Sequence, residues 1–361
     1  MRILGIESSC DETAAAVVED GYRLLSNVVH SQIDIHAQYG GVIPEVAARS
    51  HIEVINPVIQ KALDDAHCTW DDIDAIAVTY APGLIGSLLV GSLAARTLAV
   101  LKHKPLYPIH HVEAHVYANF ITEQAAPLQF ALPSAQPKFP MLALIVSGGH
   151  TQLVLFHDHG RYELLGQTQD DAVGEAFDKV AKIIGLPYPG GPSIAQAALK
   201  GDPHAYRLPK SKMKGVYDFS FSGLKTAVLR SVQREVDVDT TFASSGLAER
   251  LNDVQRADFA ASFQHTAIET LVDTAERAFK DHSTASVVIA GGVAANSELR
   301  RQLSERLPLR IEYAPMALCT DNAAMIASLG YFYAQTAPAI LPGDLRAIPS
   351  LSMAKTAWNV S

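Results

Sequence analysis

The sequence predicts an α/β protein of two similar lobes, because one pattern of strands and turns occurs twice. A strand, a turn of small polar residues and a second strand occupy residues 3–18, and the same arrangement returns at residues 142–156. In each half, helical stretches and a further strand follow, at residues 73–80 and 286–290. Two copies of a β-β-α-β-α unit indicate a duplicated fold.

The turns of this pattern carry a second signal. Both hairpin tips consist of small polar residues whose backbone N–H groups could face an anion, and Gly291-Gly292 forms a third turn before a helix. One such turn alone would also suit an ordinary tight turn. Three in this order resemble the phosphate and adenosine motifs of the actin, sugar-kinase and heat-shock-chaperone superfamily. The resemblance implies a duplicated actin-like ATPase fold with an adenine nucleotide in a central cleft between two lobes.

Domain boundaries follow from the duplication. The Ala-, Pro- and Gln-rich segment 120–140 is the predicted link between lobes, and the chain beyond Ser350 is expected to be frayed. The predicted division is a first lobe at residues 1–118 completed by a C-terminal helix at 322–345, a second lobe at 119–321, and a tail at 346–361.

Composition limits the classes of function. The 361 residues include 29 Lys and Arg against 38 Asp and Glu, so any nucleic-acid role needs a local basic patch or partners. Three scattered cysteines predict no disulfide framework. Acidic residues interrupt the apolar N-terminus, so no signal peptide is predicted, and residues 84–101 are expected to form a buried helix and not a membrane span. We therefore expect a cytoplasmic protein with no membrane association.

A histidine pair predicts a metal site. His111 and His115 are four residues apart, so on a helix both project from one face and suit one metal ion. The spacing also occurs in zinc peptidases, which need a glutamate directly after the first histidine. That position is Val112, and Glu113 would point away from the metal, about 200° round the helix. An isolated pair of this kind can also be two partly exposed histidines at a helix start.

Asp321 supplies a third candidate ligand. It lies in Cys319-Thr-Asp-Asn322, which precedes a predicted helix from Ala323 to about Gln335, and it could also serve as the N-cap of that helix. Two histidines and one carboxylate leave coordination positions open for substrate. Either Fe²⁺ or Zn²⁺ fits this donor set, with one divalent metal ion per subunit.

Seven short motifs in order make the sequence recognisable. Together they closely resemble the bacterial tRNA N6-adenosine threonylcarbamoyltransferase family, formerly described as O-sialoglycoprotein endopeptidases, over residues 1–346. The motifs are Glu7-Ser-Ser-Cys-Asp-Glu-Thr13, His111-Val-Glu-Ala-His115, Val146-Ser-Gly-Gly-His-Thr151, Gly174-Glu-Ala-Phe-Asp-Lys179, Tyr188-Pro-Gly-Gly-Pro192, Gly291-Gly-Val-Ala-Ala-Asn296 and Cys319-Thr-Asp-Asn322.

The resemblance implies a reaction. Threonylcarbamoyl is transferred from threonylcarbamoyl-adenylate to the exocyclic amine of the adenosine beside the anticodon, A37, in tRNAs that read codons beginning with A. AMP leaves and t6A is the product. The donor is an activated mixed anhydride, so the site needs to orient substrates and stabilise charge without a Ser or Cys nucleophile.

The resemblance also implies substrate-binding residues. Asp178 could accept hydrogen bonds from ribose or pair with Lys182, and Asn296 could contact the nucleotide or cap the following helix. The implied set is Ile145, Val146, Ser147, Gly148, Gly149, Asp178, Gly191 and Asn296.

Asp11 and Glu12, at the first hairpin tip, are candidates for removing the proton of the attacking amine. Exposed acids of a hairpin tip would look the same. Cys10 beside them is expected to be a small buried residue and not a nucleophile.

Two other functional classes remain open. A phosphotransferase or ATPase of the same superfamily would need a Mg²⁺-binding acid and a base for γ-phosphate transfer. A non-catalytic nucleotide-binding subunit would be expected to lack the metal triad. For tRNA itself, the local basic cluster is Arg207 to Lys214, with Tyr217, Phe219, Phe221 and Lys225 after it. This cluster could bind the RNA backbone or be a solvated loop.

Partner subunits are expected at two helices of the first lobe, one from Pro44 to about Asp65 and one over residues 84–101. Small residues recur every fourth position of the second helix, either for packing within the lobe or for close docking of a partner, and these are Gly83, Ser87, Gly91 and Ala95. The resemblance implies a heterodimer with a catalytically inactive paralogue through these helices, and a small ATPase that joins the complex.

Overall fold

The computed structural model describes residues 1–125, 130–211, 213–309, 311 and 313–355. Contacts between Cα atoms divide the chain into two compact units. The first unit comprises Met1–Met141, Phe156–Glu163 and Glu312–Ser361, and the second comprises Leu142–Leu155 and Leu164–Ile311.

A six-stranded sheet forms the centre of the first unit, in the order β5-β4-β1-β2-β3-β6. Strand β1 pairs antiparallel with β2 and parallel with β4, β2 pairs antiparallel with β3, and β4 pairs parallel with β5. The strands are β1 (Arg2–Glu7), β2 (Glu12–Glu19), β3 (Arg23–Ser31), β4 (Ala75–Ala81), β5 (Leu106–His110) and β6 (Glu123–Gln124).

The helices of the first unit are α1 (Ile33–Ala37), α2 (Pro44–Asp65), α3 (Ile85–Lys102), α4 (His111–Tyr117), α10 (Met316–Cys319) and α11 (Ala323–Thr336). Helices α2 and α3 pack on one face of the sheet and α11 packs on the other. Side chains alternate across a strand, so Leu4 and Ile6 pack with α2 and α3, while the intervening Gly5 faces α11. A Cβ at Gly5 would lie 2.3 Å from the Ala323 carbonyl oxygen, so only glycine admits this helix so close to the sheet.

The second unit repeats the arrangement. Its sheet has the order β10-β7-β8-β9, which matches β4-β1-β2-β3 of the first unit strand for strand. The internal duplication predicted from the sequence is therefore confirmed. The strands are β7 (Met141–Val146), β8 (Thr151–Asp158), β9 (Arg161–Gln167) and β10 (Ser286–Ala290). The helices are α5 (Val173–Ile184), α6 (Gly190–Ala198), α7 (Ser222–Glu235), α8 (Asp253–Asp281) and α9 (Ser297–Arg306).

Several predicted boundaries differ from these units. Residues 119–125, 130–141 and 313–321 cluster with the first unit, although the sequence assigned them to the second lobe. Within the predicted link, Phe120 is buried and β6 adds to the first sheet. The precise lobe division stays a prediction.

The C-terminal segment is more ordered than the sequence indicated. As far as Lys355 it packs on the first unit, with the Met353 side chain fully buried. Backbone hydrogen bonds join Ile348 N to Tyr80 O and Gly83 N to Pro349 O. The expectation of a frayed tail after Ser350 is therefore wrong up to Lys355, because these contacts bury it; residues 356–361 lie outside the described residues.

Helix α3 combines a buried small-residue face with an exposed apolar face. Ser87, Gly91 and Ala95 are buried, and a Cβ at Gly91 would lie 2.3 Å from Ser8 Oγ. The small residues thus serve packing within the first unit. By length and composition α3 is the one helix, among the described residues, that could cross a membrane; a single such helix is weak evidence, since core helices meet the same criterion.

Candidate metal centre and nucleotide-binding segments

The two histidines and Asp321 lie together in the first unit. Helix α4 begins at His111, directly after β5, and its first turn and a half carries both imidazoles, with ring centroids 4.6 Å apart. Asp321 Oδ1 lies 3.5 Å from His111 Nε2 and 3.4 Å from His115 Nε2. One donor atom from each residue falls within 4.8 Å of the others, so the three could hold a metal ion.

The local sequence explains why Asp321 is available. Asn322, and not Asp321, caps α11: its side-chain oxygen accepts a hydrogen bond of 3.1 Å from Met325 N. The alternative that Asp321 serves as the N-cap is therefore wrong. The neighbouring asparagine satisfies the helix terminus, and the Asp321 carboxylate faces the histidines.

A buried glutamate orients His111. Glu7, at the end of β1, is fully buried and lies 3.0 Å from His111 Nδ1 through Oε2. The same oxygen accepts a 2.6 Å hydrogen bond from the Thr79 hydroxyl. A carboxylate on the far ring nitrogen is a recurrent support for metal-binding histidines, because it directs the other nitrogen at the metal. The sequence analysis did not single out Glu7; its signal was an acidic residue directly after the apolar run of residues 3–6.

The donor set fits a metal ion on geometric grounds. Zinc ligands at about 2.0–2.2 Å on tetrahedral vertices lie about 3.4 Å from one another. The two nitrogen-to-oxygen separations agree with that spacing. Both ring nitrogens of His115 are buried without a hydrogen-bond partner among the described residues. A buried imidazole nitrogen without a hydrogen-bond partner is typical of a metal ligand.

The charges of the site favour a cation. Burial lowers the pKa of His111, but Asp321 and Glu7 outweigh burial and raise that pKa to about 9. Burial raises the pKa of Glu7, but the charge and hydrogen bond of His111 bring it below the ordinary value. Burial keeps the pKa of His115 low, so His115 stays neutral at pH 7 and able to bind a metal.

The charge of Asp321 affects Glu12, one of the two acids at the first hairpin tip. Burial, then Asp321 and Asp11, raise the pKa of Glu12 to about 10, so Glu12 holds a proton at neutral pH in the metal-free protein. Glu12 Oε1 accepts a 3.2 Å hydrogen bond from Ser31 Oγ. Burial raises the pKa of the Cys10 thiol, which agrees with the expectation that Cys10 is no nucleophile.

Glu113 points away from the histidines, as its position on the helix predicted. Its Oε2 accepts hydrogen bonds from Tyr333 at 2.6 Å and from Tyr162 at 3.3 Å. Burial raises the pKa of Glu113 to about 7 despite both bonds. A base for metal-bound water, as in zinc peptidases, is thus missing from this position.

In the second unit, the predicted nucleotide turns are adjacent because β7 and β10 are neighbours. A Cβ at Gly291 would lie 2.4 Å from the Val146 carbonyl oxygen, so the two turns touch through backbone. Gly148 and Gly149 are exposed, with no heavy atom within 4 Å of an added Cβ. Ile145 and Val146 have fully buried side chains, so only their backbone could meet a ligand.

Two of the three remaining predicted contact residues, Asp178 and Asn296, form hydrogen bonds within the protein. Asp178 Oδ1 accepts a 2.7 Å hydrogen bond from Gly190 N, a contact that neither sequence interpretation anticipated. Asn296 caps α9 through Leu299 N and donates to Gln264 Oε1 at 2.9 Å. Gly191 is open, with nothing near an added Cβ.

The basic cluster of the second unit is partly neutralised. Lys210 forms ion pairs with Glu269 and Asp273, at 2.8 and 2.7 Å. Phe219 and Phe221 are fully buried and cannot stack on bases. These two rings belong to the core, whereas Tyr217 is half-buried and its hydroxyl donates to Asp281 Oδ2 at 2.7 Å. Binding of the RNA backbone by this cluster stays a prediction, and Lys212 lies outside the described residues.

Solved structures identify the class of fold. HypF from T. kodakarensis aligns with a TM-score of 0.56 at 14% identity, over 92% of this chain and 48% of that chain. Component A of (R)-2-hydroxyglutaryl-CoA dehydratase from Acidaminococcus fermentans aligns with a TM-score of 0.50 at 15% identity, over 93% and 100%. The chain has the duplicated actin-like ATPase and sugar-kinase fold that the sequence predicted.

Sequence relatives identify the family. The family model for tRNA N6-adenosine threonylcarbamoyltransferase matches residues 23–328. A protein of that name from Symbiobacterium thermophilum is 51% identical over 354 residues, which cover 97% of this chain and 96% of the relative. Another, from Thermomicrobium roseum, is 51% identical and covers 93% and 92%. The chain belongs to the tRNA N6-adenosine threonylcarbamoyltransferase family and is a transferase.

Proposed function

We propose that this protein transfers threonylcarbamoyl from threonylcarbamoyl-adenylate to N6 of adenosine 37, next to the anticodon, in tRNAs that read codons beginning with A. The amine nitrogen attacks the carbamoyl carbonyl carbon, and the bond from that carbon to the phosphate oxygen breaks. AMP leaves with the bonding electrons, and the amine gives up one proton. The observation that carries this proposal, beyond family membership, is the group formed by the buried His111 and His115 with the half-buried Asp321.

We assign these three residues as ligands of one divalent ion, Fe²⁺ or Zn²⁺, with Glu7 fixing the orientation of His111. When bound, the ion would act as a Lewis acid toward charge that develops on the donor's acyl phosphate. His115 is already neutral, and His111 must lose its proton to bind the ion.

Proton removal from the amine is assigned to Asp11 and Glu12. Glu12 is protonated at neutral pH while Asp321 is uncompensated, since Asp321 is the strongest charged contributor to its raised pKa. A cation held by Asp321 would counter that contribution and favour the carboxylate form. We therefore expect Glu12 to act as a proton acceptor only in the metal-loaded protein.

Adenylate binding is assigned to the turns of the second unit. Ser147, Gly148 and Gly149 present exposed backbone that phosphate could approach, and Ser147 N itself bonds to His150 O at 2.8 Å. Asp178, Gly191 and Asn296 complete the proposed set. The part played by Asn296 would be limited to its second amide proton, since its oxygen caps α9 and one proton already bonds to Gln264.

The exposed face of α3 is the proposed docking surface for a catalytically inactive paralogue. Leu89 and Leu93 are 53% and 64% exposed, and Ile52 of the adjacent α2 is 64% exposed. An apolar stripe of this kind on a folded unit is typical of a protein interface. A small ATPase as a further subunit and a cytoplasmic location complete the proposal.

The test is direct reconstitution. The metal-loaded protein, with and without the paralogue, is incubated with synthetic threonylcarbamoyl-adenylate and unmodified tRNA, and nucleosides are analysed by mass spectrometry. We expect t6A from the parent and at least a hundredfold less from a His111→Ala, His115→Ala variant, on the scale of removing a catalytic electrostatic group.

A matched control separates chemistry from folding. His36 is a fully buried histidine of the same unit that lies outside the metal group, so His36→Ala also removes a buried imidazole. We expect His36→Ala to keep one metal per chain, whereas the double variant loses it. Full metal content and full t6A yield in the double variant would refute the assignment.

A further inference from the structure

Helix α4, which carries two of the three candidate ligands, is short. It has seven residues, all of them buried. Helices of this length are not stable by themselves, so packing must fix both the helix and the direction of its imidazoles. The contacts on the face opposite the histidines therefore decide how well His111 and His115 meet Asp321.

The main polar contact on that opposite face is made by Glu113. Its carboxylate is fully buried and accepts the 2.6 Å hydrogen bond from Tyr333 and the 3.3 Å hydrogen bond from Tyr162. The Tyr162 hydroxyl also lies 3.2 Å from the Met353 carbonyl oxygen. We call Glu113, Tyr162 and Tyr333 the Glu113 cluster.

Tyr333 connects this cluster to the third ligand. It lies near the end of α11, the helix that begins directly after Asp321 and Asn322. At 1.5 Å per residue, Tyr333 is about 16 Å along the helix from its cap. Helix α11 packs against α4, so the bond between Tyr333 and Glu113 fixes the two ligand-bearing segments relative to each other at the end of α11 remote from Asp321.

We propose that Glu113 is a positioning residue of the metal centre, which acts through Tyr333 and Tyr162 to hold α4 in register with the segment that carries Asp321. This inference depends on the metal assignment above. Glu113 itself touches neither substrate nor metal. Its role is to set the direction of the ligands, and its loss would leave the ligands present but misaligned.

The test is metal affinity, measured by chelator competition with Co²⁺, together with the visible absorption spectrum of the bound ion. Tyr333→Phe removes one hydroxyl and keeps the ring. We expect about tenfold weaker Co²⁺ binding, the lower end of the effect of outer partners of metal ligands, and a changed absorption band. Glu113→Leu should weaken binding at least as much. Glu113→Gln keeps an acceptor for Tyr333 and should recover most of the affinity.

The matched control is Tyr117→Phe. Tyr117 is also fully buried and lies at the end of α4, but its hydroxyl bonds to His159 at 3.0 Å and not to Glu113. Loss of the Tyr117 hydroxyl should lower the thermal midpoint about as much as Tyr333→Phe does, while Co²⁺ affinity and the absorption spectrum stay unchanged.

The outcomes are distinguishable. Parental Co²⁺ affinity and spectrum in both Tyr333→Phe and Glu113→Leu would overturn the proposal. Equal losses of Co²⁺ affinity in Tyr333→Phe and Tyr117→Phe would also overturn it, because they would reflect general stability. If the parent binds no Co²⁺, or binds it as tightly after His111→Ala, the metal assignment itself fails.

Discussion

At the scale of single residues, the protonated His111 supplies the positive charge that a bound metal ion would otherwise supply. Its imidazole lies between two carboxylates, Glu7 and Asp321, and its pKa is raised to about 9. Any divalent ion must displace this proton, because a metal ligand must be neutral imidazole.

Metal affinity should therefore depend on pH. Below pH 9 His111 is mainly protonated, so affinity should rise with pH up to about 9 and level off above it, with about one proton released per ion at pH 7.5. Calorimetric titration of Zn²⁺ in two buffers of different ionisation enthalpy measures that release. An affinity that does not change between pH 6.5 and 8.5 would contradict this prediction.

The glycines of the nucleotide turns should respond differently to substitution. Gly148→Val adds a side chain into open space, so we expect weaker adenylate binding with an unchanged thermal midpoint. Gly291 has a φ of 89° and an added Cβ would meet the Val146 carbonyl at 2.4 Å, so Gly291→Val should destabilise the unit by about 1–3 kcal/mol.

Calorimetry with a non-hydrolysable adenylate and thermal denaturation test this pair. Parental nucleotide affinity in Gly148→Val would show that the turn is not a phosphate site. An unchanged midpoint in Gly291→Val would contradict the steric argument.

The four-residue spacing predicted the histidine pair from the sequence, but the sequence did not predict which residue supports His111. Glu7 lies more than a hundred residues before His111, and only the parallel pairing of β1 with β4 and of β4 with β5 brings the two together. Asp321 and Asn322 are both good helix caps, so the choice between them depended on which side chain turned toward α4.

At the scale of elements, α3 has two faces with separate roles. The face of Gly91 has no space for a side chain, whereas Leu93 projects into solvent. The sequence predicted the small-residue stripe but left its purpose open; the packing against β1 decides in favour of the interior of the first unit.

Substitutions on the two faces should separate stability from partner binding. Leu93→Glu should leave the thermal midpoint within about 2 °C of the parent, as surface changes usually do, and abolish co-purification with the paralogue. Gly91→Leu should lower the midpoint strongly because it overpacks the unit. An intact complex with Leu93→Glu would place the interface elsewhere.

Element boundaries were predictable where capping and turn signals were strong. Helix α2 begins at Pro44 and ends at Asp65 as predicted, since proline suits the first turn of a helix. The cluster at residues 207–214 kept two interpretations, RNA backbone binding or a solvated loop, because charge alone does not reveal pairing. Lys210 is held by acids of α8, more than fifty residues away in the sequence.

At the scale of the whole molecule, the first unit depends on its last segment. The His110 ring bonds to the Leu351 carbonyl oxygen at 3.0 Å, and Met353 is fully buried. Composition could not predict this packing, because residues 346–355 have no periodic apolar pattern.

Removal of residues 347–361 should lower the thermal midpoint by several degrees, since one buried side chain of this size contributes about 1.5–3 kcal/mol. Met353→Gln should reproduce part of the loss, while Leu341→Gln, at a residue 71% exposed, should not. Differential scanning calorimetry measures all three. A truncated protein as stable as the parent would mean that the segment is not part of the core.

The first unit is made of segments from both ends of the chain, so its parts are synthesised at different times. His111 and His115 leave the ribosome about two hundred residues before Asp321, with the whole second unit in between. At about 5–20 residues per second, the nascent first sheet waits roughly 10–40 s for α11, which covers one of its faces. During that interval the two histidines have neither Asp321 nor α11, which packs against α4. A chain released early would therefore carry two of the three candidate metal ligands and a sheet with one uncovered face.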